Sequence, residues 1–177
     1  MASILSHPAV PLAIGVAAGP STVPPALTAV ACVASILPDA DSIGFWAGIP
    51  YDAPLGHRGL THSICFALLV ALGCSRFASR LAAPAATVFA VVFVSMASHG
   101  VLDALTTGGM GVAFFSPFSN DRFFFPWRVI AVSPIGVAPF LSARGVTVLK
   151  SELAWIWAPA AAIAVAGVAA RRLFRAG

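Results

Sequence analysis

The residues able to do chemistry are few and clustered. The chain carries six acidic residues and four histidines, and three of each fall in the segments LPDAD (37–41), HRGLTHS (57–63) and SHGVLD (98–103). In LPDAD, Pro38 discourages a continuing helix, and Asp39 and Asp41, two apart in a turning chain, can reach one centre or flank it. In HRGLTHS, the neutral imidazoles of His57 and His62 are nitrogen ligands for zinc and related ions. Gly56 and Gly59 let the backbone bend around a ligand. The Arg58 guanidinium suits an anionic oxygen such as that of a phosphate, and Thr61 is the expected N-cap of the helix running into Ile64. In SHGVLD, His99 and Asp103 are four apart and project from one helical face, with Ser95 one turn earlier. Each motif alone also fits a plainer reading: a polar helix cap, interfacial residues without a common partner, or an i,i+4 hydrogen-bonded pair. Of the remaining acids, Asp52 could belong to the site, Asp121 beside Arg122 reads as a solvated turn, and Glu152 reads as a first-turn helix charge.

The surroundings of these motifs are apolar. Hydrophobic residues make up 59% of the 177 and charged residues 9%, against about a quarter charged in a soluble domain; the mean hydropathy is +0.95. Lipid is therefore the expected solvent, and ionisable groups beside a bilayer are costly unless they pair or bind metal. Taken together, the three motifs point to a divalent-metal site. A mixed His/Asp donor set suits Zn²⁺, Mn²⁺ or Fe²⁺ and not sulfur-preferring ions.

The net charge of +4 does not signal nucleic acid. Arg76, Arg80, Arg171, Arg172 and Arg175 sit at the ends of apolar runs as membrane-flanking charges, and no basic stripe is interleaved with aromatics. Cys32, Cys65 and Cys74 lie in apolar runs without a CxxC pair and read as packing residues. The first apolar stretch lacks a basic region before it and is broken by Pro8 and Pro11, so it reads as a retained membrane segment.

Apolar runs cover 9–19, 26–37, 64–80, 83–102 and 152–170, which predicts an all-α, multi-pass transmembrane bundle of four to five hydrophobic helices in a single domain, 1–177. The prolines between residues 20 and 25 break the first two runs. Each is shorter than the roughly 20 residues of a perpendicular span, leaving a hairpin, a tilted pair or one broken span. Pro84 stands where a helix start tolerates it. Residues 104–151 form a long connection rich in glycine, proline and aromatics, suited to the interface or to a re-entrant piece. If 64–80 leaves the face that carries 38–61, then 83–102 returns to it and delivers His99 and Asp103 beside Asp39, Asp41, His57 and His62. A hairpin over 9–37 adds His7. The arginines of both short clusters then collect at the opposite face and bias it towards the cytoplasm, although Arg58, Arg122, Arg128, Arg144 and Lys150 balance them in number.

The order His7, LPDAD, HRGLTHS and SHGVLDALTTGG (98–109) resembles the YdjM (DUF457) family of bacterial inner-membrane proteins, described as membrane-bound metal-dependent hydrolases. HRGLTHS is its most specific part, and the resemblance extends from His7 to about Pro134. It implies residence in the inner (plasma) membrane and a metal site built from His7, Asp39, Asp41, His57, His62, His99 and Asp103, with catalytic roles for Asp39, Arg58 and His62. Zinc is the first expectation for the ion, with manganese, iron or magnesium as alternatives. The ligand pattern is also similar to zinc-dependent phospholipase C and P1-type nucleases, which cleave phosphoesters. The implied reaction is hydrolysis of a phosphoester of a lipid or other amphiphile by a metal-activated water, with an aspartate as general base, Arg58 against the developing anion and the apolar loop 110–126 guiding an acyl chain. A transporter for metal ions or protons, or a non-catalytic membrane protein with a structural metal site, is the alternative. No nucleic-acid partner is expected.

Overall fold

The computed structural model describes residues 1–176, with side chains as far as Phe174; the Arg175 side chain lies outside the described part. Helices α1 (Ala9–Ala18) and α2 (Pro25–Ile36) are separated by a short connection. Pro25 opens α2, where its missing N–H costs nothing. The pair is a hairpin: Gly15 packs against Thr28, while Leu12 and Cys32 flank the same groove as Gly19 and Val23. Past α2 the chain tightens into a 3₁₀ helix over Leu37–Phe45. Pro38 explains the change, since it cannot donate into an α-helical ladder and its ring crowds the preceding turn. That 3₁₀ segment carries Asp39 and Asp41.

A 3₁₀ turn over Leu60–His62 leads into α3 (Ile64–Ser75). The N-cap of α3 is Ser63, whose hydroxyl accepts from the Phe66 N–H at 3.0 Å. Thr61, expected in that role, sits in the preceding turn and donates its hydroxyl to Asp41 at 2.8 Å. Helix α4 (Ala85–Ala104) returns. The connection after it is pinned by backbone pairing of Thr106 with Ile130 and Val112 with Phe123, then makes the one-turn α5 (Val137–Phe140).

The last helix begins earlier than its apolar pattern suggests. Helix α6 (Ala143–Glu152), a π turn (Leu153–Trp157) and α7 (Ala158–Ala176) follow without a break. The Ser142 hydroxyl accepts from the Arg144 N–H at 3.2 Å and starts the run. The polar residues of α6 hide it from a hydropathy reading. Pro159 removes one ladder donor, and the π turn just before it absorbs the mismatch.

Three helical runs, Pro25–Phe45, Ala85–Ala104 and Ala143–Phe174, are long and apolar enough to cross a membrane, and α1 and α3 are shorter apolar helices. Small side chains let α2, α3 and α4 approach closely, with Ala31, Ala67 and Ala71 buried beside Leu27, Val88 and Val92. Helix α7 runs alongside α1 in the same direction. A Cβ on Gly167 would fall 2.4 Å from the Ala17 methyl, so glycine is what permits the contact. At that end Arg171 donates to the Val16 carbonyl at 2.9 Å. The turns holding Arg76 and Arg80 lie at the same end, and all four histidines lie at the other.

Candidate metal centre

Four elements bring the motif residues together. Helix α4 projects His99 and Asp103 from one face, the 3₁₀ extension of α2 supplies Asp39 and Asp41, the turn before α3 supplies His62, and the start of α1 supplies His7. His7, Asp39, His57, Arg58, His62, His99 and Asp103 are all buried. Ligand atoms of Asp39, His62, His99 and Asp103 lie within 4.8 Å of one another. The Nε2 atoms of His62 and His99 are 3.0 Å apart. Asp39 Oδ1 is 3.4 Å from His99 Nε2 and 3.7 Å from His62 Nε2, and Asp103 Oδ2 is 3.6 Å from His62 Nε2 and 4.0 Å from His99 Nε2. Four ligands at zinc–nitrogen and zinc–oxygen bond lengths stand roughly 3.3 Å apart around a tetrahedron. His7 stacks on His99 with ring centroids 3.6 Å apart, and its Nε2 lies 3.8 Å from Asp103 Oδ1 and 3.9 Å from Asp39 Oδ2.

The remaining atoms orient these five. His99 Nδ1 donates to the Ser35 carbonyl at 2.7 Å, which directs a free Nε2 lone pair into the centre. His62 Nδ1 lies 3.1 Å from Asp41 Oδ2, the carboxylate–histidine pairing that does the same. Asp41 also takes His57 Nδ1 at 2.6 Å and the Arg58 N–H at 3.1 Å. Asp41 and His57, expected as ligands of one shell, thus stand behind His62; with His62 they form a second group of ligand-competent atoms. Phe45 and Tyr51 wall the His57 ring, the latter edge-on at 5.1 Å.

Arg58 differs most from its expected place. Its backbone is left-handed, at φ 63°, a strained conformation for a residue with a side chain. This turns the side chain inward, where Nε lies 3.1 Å from Asp103 Oδ2 and the terminal nitrogens donate to Gly108 O and Thr106 Oγ1, each at 3.0 Å. Gly59 beside it must be glycine, because a Cβ would fall 2.3 Å from the Pro54 carbonyl oxygen. The loop 110–126 covers this region through the Ala113 N–H on the Arg58 carbonyl at 3.0 Å. Arg122 donates to the carbonyls of His57 and Tyr51 at 2.9 and 3.0 Å.

Electrostatics fit a divalent cation. Three carboxylates, those of Asp39, Asp41 and Asp103, gather in the two ligand groups, and the one ion pair with an arginine within 4 Å among them in the described residues is that of Arg58 with Asp103. Both oxygens of Asp39 and both ring nitrogens of His7 lack hydrogen-bond partners although buried, a costly state unless something else engages them. Burial alone would lower the His62 pKa, but contacts with Asp103, Asp39 and Asp41 override it and push it up to about 10. His7 goes the other way, down to about 3, through burial and the neighbouring His99. Its lone pair is therefore free at neutral pH.

Asp52 and Ser95 stay outside the cluster, and Glu152 departs from its expected place. Asp52 is exposed. Ser95 is buried but bonds within α4, to Val91 O at 2.7 Å. Glu152 is fully buried and not a helix-end charge: its carboxylate accepts from the Ser3 N–H, from Ser3 Oγ at 2.6 Å and from Ser6 Oγ at 2.8 Å. The turn it anchors carries His7, and the Ala2 N–H in that turn donates to Asp103 Oδ1 at 2.7 Å. No motif signalled this. Ser3 and Ser6 are distant in sequence, and a carboxylate near a helix start has a solvated reading by default.

The sequence matches the YdjM inner membrane protein family over residues 1–174. The chain belongs to that family. It is 41% identical over 160 residues to the inner membrane protein YbcI of Escherichia coli (strain K12), covering 90% of this chain and 92% of that one. No solved structure matches. The motifs that carried the resemblance are the ones the fold gathers at one end of the bundle.

Proposed function

We propose that this YdjM family member is a multi-pass membrane hydrolase that uses a divalent ion, zinc first and manganese, iron or magnesium as alternatives, to cleave a phosphoester of a lipid or other amphiphile. The observation that carries this reading is the convergence of two imidazole nitrogens and two carboxylates at 3.0 to 4.0 Å in a cluster of buried side chains. An ion held by Asp39, His62, His99 and Asp103, with His7 adjoining, would lower the pKa of a water it binds to near neutrality. Asp39 is the residue best placed to take that proton. Its Oδ1 faces the imidazoles, its Oδ2 has no hydrogen bond, and it borders an open cavity. His62, backed by Asp41, presents its Nε2 to the same point. Arg58 stays in the machinery with a changed role: its buried guanidinium holds Asp103 in place and does not reach outward to a substrate anion.

The placement of charge favours surface catalysis over transport. Beneath the cluster, the α2–α3–α4 interior is formed by Leu27, Ala31, Ala67, Ala71, Val88 and Val92, an unpromising path for an ion. Elemental analysis of the detergent-purified protein tests the reading. Near-stoichiometric metal that disappears in His99→Ala/Asp103→Ala is expected, followed by metal-dependent hydrolysis of phosphoester amphiphiles. Absence of bound metal after supplementation with each ion would overturn it. Sustained Zn²⁺ flux into liposomes would move the function to transport.

A further inference from the structure

We propose that the cavity beside Asp39 receives a single apolar chain of the substrate, entering from the bilayer. The proposal rests on the metal-hydrolase reading and names the part of the substrate that the protein itself grips. The cavity measures about 420 Å³, within the range of ligand sites, about 300–1,000 Å³. Its wall is formed by Ile4, Leu5, Ile135, Val137 and Phe140, and Asp39 is the one charged side chain on it among the described residues. The polar groups on the wall are largely engaged. Ser3 Oγ donates to Glu152 at 2.6 Å, and Ser133 Oγ donates to the Pro134 carbonyl at 3.2 Å. Apart from Asp39 and the serines Ser3, Ser42 and Ser133, the side chains on the wall are apolar, and the Asp39 carboxylate repels a phosphate, so an uncharged chain matches the length of the cavity best. Asp39 lies on its wall, which sets the cavity beside the proposed centre. A phosphoester lying there would place its chain along the cavity.

The mouth points to the source of that chain. Leu5 is 56% and Val137 75% exposed. Ile43 and Leu141, next in sequence to wall residues Ser42 and near Phe140, are 60% and 78% exposed. An apolar rim of this kind belongs in contact with acyl chains. The outer wall is a strap, held by the Ser133 N–H on the Met1 carbonyl at 2.9 Å. No side chain of α5 within it is buried. The loop 110–126, expected to guide an acyl chain, contributes no residue to this wall.

The test uses the full chain in phosphatidylcholine nanodiscs, a dodecyl phosphate carrying a diazirine on its chain, and metal analysis of the same samples. Expected is labelling at Leu5, Ile135 and Phe140 that unlabelled dodecyl phosphate competes away. Leu5→Arg should lower the labelling by at least about tenfold with metal content unchanged; Ile135→Arg, on the exposed strap, repeats the measurement should Leu5→Arg fail to fold. Labelling confined to lipid-facing α7 positions such as Ile163 and Val165, or undiminished in both arginine variants, would overturn the tail site. Competed cavity labelling in protein that binds no metal would sustain the tail site and overturn the hydrolase reading. Metal without cavity labelling would do the reverse.

Discussion

Beneath the cluster and towards the arginine end of the bundle, α2, α3 and α4 meet through alanines and valines, Ala31, Ala67, Ala71, Val88 and Val92 among them. At the other end the same helices meet through His99, Asp103, Asp39 and the His62 turn. The first region is held by van der Waals packing of small side chains, which is graded: a changed volume costs something and the fold gives way a little. The second is held by buried charges that are tolerable only when each has its partner. One architecture therefore contains a forgiving end and an unforgiving end, and the unforgiving one coincides with the proposed chemistry. The buried Arg58–Asp103 pair shows the difference best, because removing either partner leaves a charge that water cannot reach.

This contrast can be broken or sharpened by substitution. The largest effect is expected for Arg58→Ala, which strands Asp103 and should destabilise the protein by about 3–5 kcal/mol, read by thermal unfolding in detergent; a change under about 1 kcal/mol would mean the pair is not buried as described. Asp41→Asn removes the carboxylate behind His62 and should weaken metal binding by about 10–100-fold with the fold intact. Titration with a competing chelator measures it, and unaltered affinity would place Asp41 outside the support of the centre. Ala31→Leu at the apolar end should cost about 1–3 kcal/mol by overpacking while metal stoichiometry holds. Loss of metal in that variant would show that the two ends are not separable.

The last test concerns protons. The metal-free site holds a proton on His62 up to a pKa of about 10, so an entering ion must displace it across the neutral range. Apparent affinity should fall about tenfold for each pH unit lowered from 9 to 7, with close to one proton released per ion in unbuffered calorimetry. A flat profile would contradict the environment assigned to His62.

Much of this was legible in the residues. Apolar runs located α1, α2, α3 and α4 because a membrane interior demands continuous hydrophobic helices, and the crossing count placed the three motifs at one end. His99 and Asp103 could be paired because four residues make one helical turn. The start of the last helix was missed because α6 is polar and its signal is a cap at Ser142, not hydropathy. Glu152 was missed because its partners Ser3 and Ser6 are about 150 residues away, beyond any local pattern. The Thr61 cap was misplaced by two residues, since a 3₁₀ turn before α3 and a longer first turn look alike in sequence.

Composition and periodicity by themselves determined the solvent, the helical class, the residue types of the centre and the end of the bundle at which they gather. Only the tertiary structure decided how those residues divide: Asp39, His62, His99 and Asp103 around one point, Asp41 and His57 behind them, and Arg58 turned inward on a left-handed backbone. Helical spacing reports which face a side chain leaves from. Its partner is set by distances between segments far apart in the chain, and those follow from packing.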